Sequence, residues 1–230
     1  MEFWQRLEHP ASALVCGASR GIGLALSEQL LARTDVARVW AVARNASQSA
    51  GLAALAKQHG ERLQRLDVDC CDEAALAALA QQLRAVTPRL HLLLCTVGVL
   101  QEGAAKAEKS LTQLDLQGLL ATFQRNSFAP ILLLKHLLPL LRGQHPCSVA
   151  ALSARVGSIG DNRLGGWYAY RASKAALNSL TPQNSTPSAA TASVKVMALV
   201  SIAVPRTYAT AIGPRLRRPL CPFTQMASFP

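Results

Sequence analysis

Acidic residues run out early in this chain. None follows Asp161, whereas Arg163, Arg171, Lys174, Lys195, Arg206, Arg215, Arg217 and Arg218 all do, so much of the formal net charge of +11 belongs to one region. Such a balance invites nucleic acid or an anionic surface as partner. No run of bases interleaved with aromatics occurs, however, and aromatics are only 5% of residues, so no nucleic-acid partner is expected. The six cysteines (Cys16, Cys70, Cys71, Cys95, Cys147 and Cys221) contain no C-x-x-C pair, and the five histidines have no ligand spacing. This argues against a zinc site or a disulfide framework and for reduced thiols in a reducing compartment. Long apolar runs are missing too: the best, Ala129–Leu141, is too short for a membrane span and holds Lys135 and His136. Met1–Pro10 carries Glu2 and Glu8 and has no apolar core, which makes it a poor secretory signal. A soluble, cytoplasmic protein with no membrane partner is expected.

What the chain does have is half-apolar composition over 230 residues, enough for one α/β domain with a sizeable core. Its opening, Ala13–Leu31, reads as strand, tight loop, helix, with glycines at Gly17-x-x-x-Gly21-x-Gly23. Glycine suits a sharp turn, close approach of a diphosphate to the backbone, and packing of helix on sheet. A helix N-terminus there adds unpaired N–H donors. The spacing departs from G-x-G-x-x-G, so an ordinary βα turn stays open beside nucleotide binding.

Strand and helix then alternate. Strands are expected at Arg38–Ala43, Arg62–Val68, Leu90–Val97, Cys147–Leu152 and Val194–Val200, and helices at Ser47–His59, Asp72–Val86, Ser110–Arg125, Pro130–Arg142 and Trp167–Leu180. The continuous apolar run within Leu90–Val97 suits a central strand buried on both faces. This order predicts a doubly wound parallel α/β sheet, whose ligands bind beyond the carboxyl ends of the strands.

Those strand ends carry the chemistry. Where an NAD-binding protein would place a carboxylate for the ribose 2′-hydroxyl, the second strand ends in Ala43-Arg44. Arg44 and Arg20 offer two guanidinium groups for a 2′-phosphate, which favours NADP (NADPH); two solvated arginines are the alternative. Asp67 can meet an adenine amino group or act as a strand-end turn acid. Tyr170 and Lys174 are spaced i, i+4 on one predicted helix face, where an ammonium would lower the phenol's pKa and make it a proton donor. Ser153, just past the fifth strand, can hydrogen-bond a substrate oxygen, and Asn126 is polar within an apolar helical region.

Taken together these residues resemble the short-chain dehydrogenase/reductase family. Gly17-Ala-Ser-Arg-Gly-Ile-Gly23, Asp67-Val68, Asn126, Ser153 and Tyr170-x-x-x-Lys174 occur in that family's order over roughly Ala11 to Leu180, and the wording Tyr170-Arg-Ala-Ser-Lys-Ala-Ala-Leu-Asn178 is similar to its sniffer-like and C-factor-like carbonyl reductases. The resemblance implies a Rossmann-type domain over 11–204, with cofactor binding by Gly17, Ser19, Arg20, Gly21, Ile22, Gly23, Arg44, Asp67, Val68, Gly98, Tyr170 and Lys174. It implies reduction of a small-molecule carbonyl: Ser153 orients the oxygen, Tyr170 protonates it, Lys174 holds the nicotinamide ribose, and Asn126 positions a water. It also implies a homodimer or homotetramer.

The pattern breaks in places. Cys95-Thr-Val-Gly98 replaces an Asn-Asn-Ala-Gly-like segment, so Gly98 is kept but both amides, with their hydrogen bonds, are lost. Thr181–Pro187 interrupts the helix begun at Trp167, Pro205–Thr210 only echoes a Pro-Gly…Thr cofactor contact with Arg206 in place of the glycine, and Gly213–Pro230 holds no apolar strand. An irregular tail is therefore expected over 205–230, with an alternative reading of the coding sequence from about Pro182. A catalytically weak nucleotide-binding or interaction protein is the rival expectation.

Overall fold

The computed structural model describes residues 10–142, 147–160, 162 and 165–181, and the backbone of 194–199. The expectations over 182–193 and 200–230, including Pro205–Thr210 and the tail, lie outside the described residues.

Six parallel strands form one sheet: β1 (Ala11–Cys16), β2 (Val36–Ala43), β3 (Leu63–Asp67), β4 (Leu92–Cys95), β5 (Cys147–Leu152) and β6 (Val194–Leu199). Their spatial order is β3-β2-β1-β4-β5-β6. The doubly wound, Rossmann-type α/β architecture expected from the alternation is thus present. The helices are α1 (Gly21–Leu31), α2 (Ala50–His59), α3 (Glu73–Val86), α4 (Leu116–Phe123), α5 (Ala129–Leu141) and α6 (Tyr168–Leu180). No helix among the described residues is long and apolar enough to cross a membrane.

Alternation along the strands builds two cores. Leu14 and Cys16 of β1 and Trp40 and Val42 of β2 belong to one, shared with Leu76, Leu79 and Leu83 of α3 and Leu133 and Leu137 of α5. Ala13, Val15, Val39 and Ala41 belong to the other, with Leu30 and Leu31 of α1 and Leu52 and Leu55 of α2. Period-two strands show opposite faces to these layers, while the helices supply residues at i, i+3 and i+7 spacing. Each fully buried leucine contributes about 1.5–3 kcal/mol, which fixes the register that brings the strand ends level.

Some boundaries move for local reasons. Ser47 does not begin a helix, because its amide and hydroxyl donate to Asp67; Ser49 caps α2 instead, accepting from Leu52 N. The stretch Ser110–Arg125 is broken into a 3₁₀ turn at Leu111–Gln113 and α4, which Asp115 caps through Gly118 N at 2.7 Å. A π turn at Gln124–Phe128 joins α4 to α5, as occurs where a helix must turn a side chain inward. Asp72 caps α3 as expected, accepting from Ala74 N and Ala75 N.

Candidate active site

The strand order reverses between β1 and β4, and a cavity of about 720 Å³ opens there beyond the carboxyl ends of the strands. Its lining brings together Gly17, Ser19, Arg20, Gly21, Ile22, Gly23, Arg44, Val68, Gly98, Ser153, Tyr170 and Lys174.

On the glycine side the walls are backbone. Gly17 and Gly21 have φ of +84° and +55°, values that side chains disfavour. A Cβ on Gly17 would meet Thr96 Oγ1 at 2.6 Å, and one on Gly23 would lie 2.2 Å from Gly17 O. Turn and helix are therefore packed with no room for a side chain. Arg20 gives α1 no side-chain cap, leaving the helix's positive end facing the cavity. This cradle fits the diphosphate of a dinucleotide.

The Cys95–Gly98 segment loses less than the sequence suggests. Thr96 Oγ1 donates to Cys16 O at 2.9 Å, the same carbonyl that accepts Thr96 N–H. A hydroxyl thus ties β4 to the glycine turn where the expected amides are missing. The polar residue inside an apolar run was the signal. Gly98 lines the cavity, and a Cβ there would stand 3.1 Å from Lys174 Nζ.

Of the two roles open to Asp67, the geometry matches the strand-end turn acid and not the adenine contact. Its carboxylate accepts from Ser47 N and Oγ, which holds it below its usual pKa. It does not line the cavity; Val68 and Asp69 do. A carboxylate engaged by the neighbouring loop acts as the strand-end turn acid. Arg44 does reach the cavity, where it pairs with Glu102.

Just before α6, Gly165, Gly166 and Trp167 all have positive φ. For Trp167, at φ 48°, this is strained backbone. The sharp bend leads straight into α6, on which Tyr170 and Lys174 follow. Trp167 packs edge-on against Tyr170, with ring centroids 6.4 Å apart. Lys174 is buried, donates to Leu152 O at 2.8 Å, and lies 5.9 Å from the Tyr170 ring centroid. Burial lowers the Lys174 pKa to about 8 and raises that of Tyr170. The ammonium thus does not depress the phenol as its spacing suggests, because the Nζ is aimed at a carbonyl and desolvation dominates.

Asn126 and Ser153 are both buried and both occupied. Asn126 accepts from Val99 N at 2.7 Å and donates to Val99 O and Ser173 Oγ, which explains the π turn and clamps the loop after β4. Ser153 donates to Asn178 Oδ1 at 2.6 Å. Its single proton is thereby engaged, so in this rotamer the hydroxyl can accept but not donate. Ser173 and Asn178 lie within the Tyr170–Asn178 wording, but nothing in the sequence pairs them with Asn126 and Ser153.

The five thiols at Cys16, Cys70, Cys71, Cys95 and Cys147 are free. Among the described residues no group of His, Cys, Asp and Glu could hold a metal ion.

Residues 11–213 match the family model for short chain dehydrogenase. The chain is 30% identical over 166 residues to a benzil reductase of Saccharomyces cerevisiae, covering 72% of this chain and 61% of that one. It is 34% identical over 171 residues to the rhamnolipids biosynthesis 3-oxoacyl-[acyl-carrier-protein] reductase of Pseudomonas aeruginosa, covering 74% and 63%. It thus spans about three fifths of the length of these relatives. Among solved structures, the carbonyl reductase Sniffer of Drosophila melanogaster matches with a TM-score of 0.66 at 31% identity, covering 76% of this chain and 73% of that one. The NADPH-bound carbonyl reductase from chicken fatty liver matches with a TM-score of 0.64 at 29% identity, covering 77% and 71%.

Proposed function

The chain belongs to the short-chain dehydrogenase family, and from that premise we propose that it is an NADPH-dependent oxidoreductase that reduces a carbonyl to an alcohol. The observation that carries this reading is the joining, in one cavity, of a glycine cradle with Tyr170 and Lys174. Similarity to an NADPH-bound carbonyl reductase supports the cofactor, as does Arg44 at the end of β2.

Gly17, Gly21 and Gly23 would hold the diphosphate against α1, and Arg20 and Arg44 the 2′-phosphate. NADPH, when bound, would supply a hydride to the carbonyl carbon. Tyr170 would donate its phenolic proton to the substrate oxygen, a proton that burial keeps in place at neutral pH. Lys174, with its pKa near 8, is poised to hold the ribose hydroxyls and to move a proton towards Tyr170. Gly98 leaves the space this ammonium needs. Asn126 acts by fixing Val99 and Ser173 around it. Ser153 assists once its hydroxyl turns from Asn178 to the substrate. A preorganised donor of this kind contributes about 10²–10⁴ in rate.

The Ser153–Asn178 hydrogen bond favours a second reading, a nucleotide-binding protein with weak catalysis. A screen of ketones and aldehydes that follows NADPH oxidation separates the two. Turnover abolished by Tyr170→Phe supports the reductase. NADPH binding without Tyr170-dependent turnover supports the second reading.

A further inference from the structure

The carboxylate of Glu102 sits where the anion-binding arginines of the cavity converge. Its Oε1 accepts from Arg44 Nη2 at 2.8 Å and also lies 2.9 Å from Arg125 Nη1. The partners come from different parts of the fold, Arg44 from the end of β2, Glu102 from the loop after β4 and Arg125 from the π turn, and all three line the cavity. The ion pair therefore bridges the crevice where the strand order reverses.

The carboxylate serves this site incompletely. Arg125 Nη1 is buried and its 2.9 Å ion pair with Glu102 is poorly aligned for a hydrogen bond. One carboxylate oxygen is shared by two guanidinium groups, and it is better aligned with Arg44 than with Arg125. A phosphate offers three terminal oxygens and a larger charge, which two guanidinium forks can share. Glu102 is also part-exposed, with 37% of its side chain accessible, so the pair is cheap to open.

We propose that Glu102 is a specificity-determining residue: a built-in competitor that holds Arg44 and Arg125 in the absence of cofactor and is displaced by the 2′-phosphate of NADPH. Resting on the NADPH reading above, this adds Arg125 to the phosphate-binding set and makes Glu102 a brake on NADPH affinity. NADH has no 2′-phosphate, so its binding does not require the exchange.

The test is titration of the full chain with NADPH and with NADH, followed by nicotinamide fluorescence, in wild type, Glu102→Gln, Arg44→Ala and the double variant. Far-UV circular dichroism and melting temperature establish that each is folded. Releasing an exposed ion pair and removing one like charge near the phosphate is expected to tighten NADPH binding about fivefold. NADH is expected to change less than about twofold, and the gain to shrink in the Arg44→Ala background, where only Arg125 is left to be released. An unchanged or weaker NADPH affinity in Glu102→Gln, an equal gain for NADH, or a gain undiminished by Arg44→Ala overturns the inference. If wild type prefers NADPH and Glu102→Gln is silent, only the role of Glu102 fails. If wild type binds NADH as tightly as NADPH, the NADPH reading fails and this inference with it.

Discussion

The two walls of the cavity are built by different physics. The glycine wall is shaped by backbone, with Gly17, Gly21 and Gly23 placed where a side chain would strain or collide. The wall of α6 is shaped by side chains: Lys174 buried against Leu152 O, Ser153 on Asn178, and Asn126 between Val99 and Ser173. A backbone wall recognises a charge pattern common to dinucleotides and tolerates no substitution. A side-chain wall carries protons and can be altered one function at a time. Lesions on the first should therefore cost binding, and lesions on the second should cost chemistry.

Tyr170→Phe should show the largest effect. It is expected to lower carbonyl reduction by about 10²–10⁴ while the NADPH dissociation constant moves less than about twofold. Equal losses in both would erase the distinction between the walls.

Lys174→Met should separate stability from function. Burial lowers this ammonium's pKa from 10.5 to about 8. Below pH 8 both states carry the charge and the folded one bears the full burial cost, about 3 kcal/mol. Between pH 8 and 10 the unfolded chain holds more protons, so wild-type stability rises with pH across that window. The variant removes the burial cost and the hydrogen bond to Leu152 O, the latter about 1 kcal/mol. It should melt about 4–8 °C higher at pH 7, lose the rise between pH 8 and 10, and reduce no carbonyl. Thermal melts across pH check the first two, and NADPH oxidation checks the third.

On the backbone wall, Gly23→Ala should cost about 1–3 kcal/mol through overpacking, because its Cβ would lie 2.2 Å from Gly17 O. NADPH titration should show binding lost or greatly weakened. Thr96→Val should have the smallest effect. It removes the hydroxyl bond to Cys16 O, which is worth about 1 kcal/mol, and a small fall in urea midpoint with turnover retained is the expected result.

Backbone features were the more legible in the sequence. Glycine spacing and apolar runs are local, so the turn, the alternation of strand and helix and the central place of β4 followed from them. Tyr170 and Lys174 were legible for the same reason, being one helical turn apart. What escaped notice depends on distant partners. Ser47 takes Asp67, Asn178 takes Ser153, and Glu102 takes Arg44, 58 positions away. Side-chain pairings between strand ends have no periodicity to announce them. The lowered tyrosine pKa expected from the i, i+4 spacing failed similarly, since spacing gives proximity but not where an ammonium points or how dry its surroundings are.

The most direct test of the account is titration of the purified full chain with NADPH and NADH, followed by nicotinamide fluorescence alongside a circular-dichroism check of folding. The account predicts saturable binding of both, tighter for NADPH, with Arg44→Ala narrowing the difference. A folded protein that binds neither, or that prefers NADH, would contradict it.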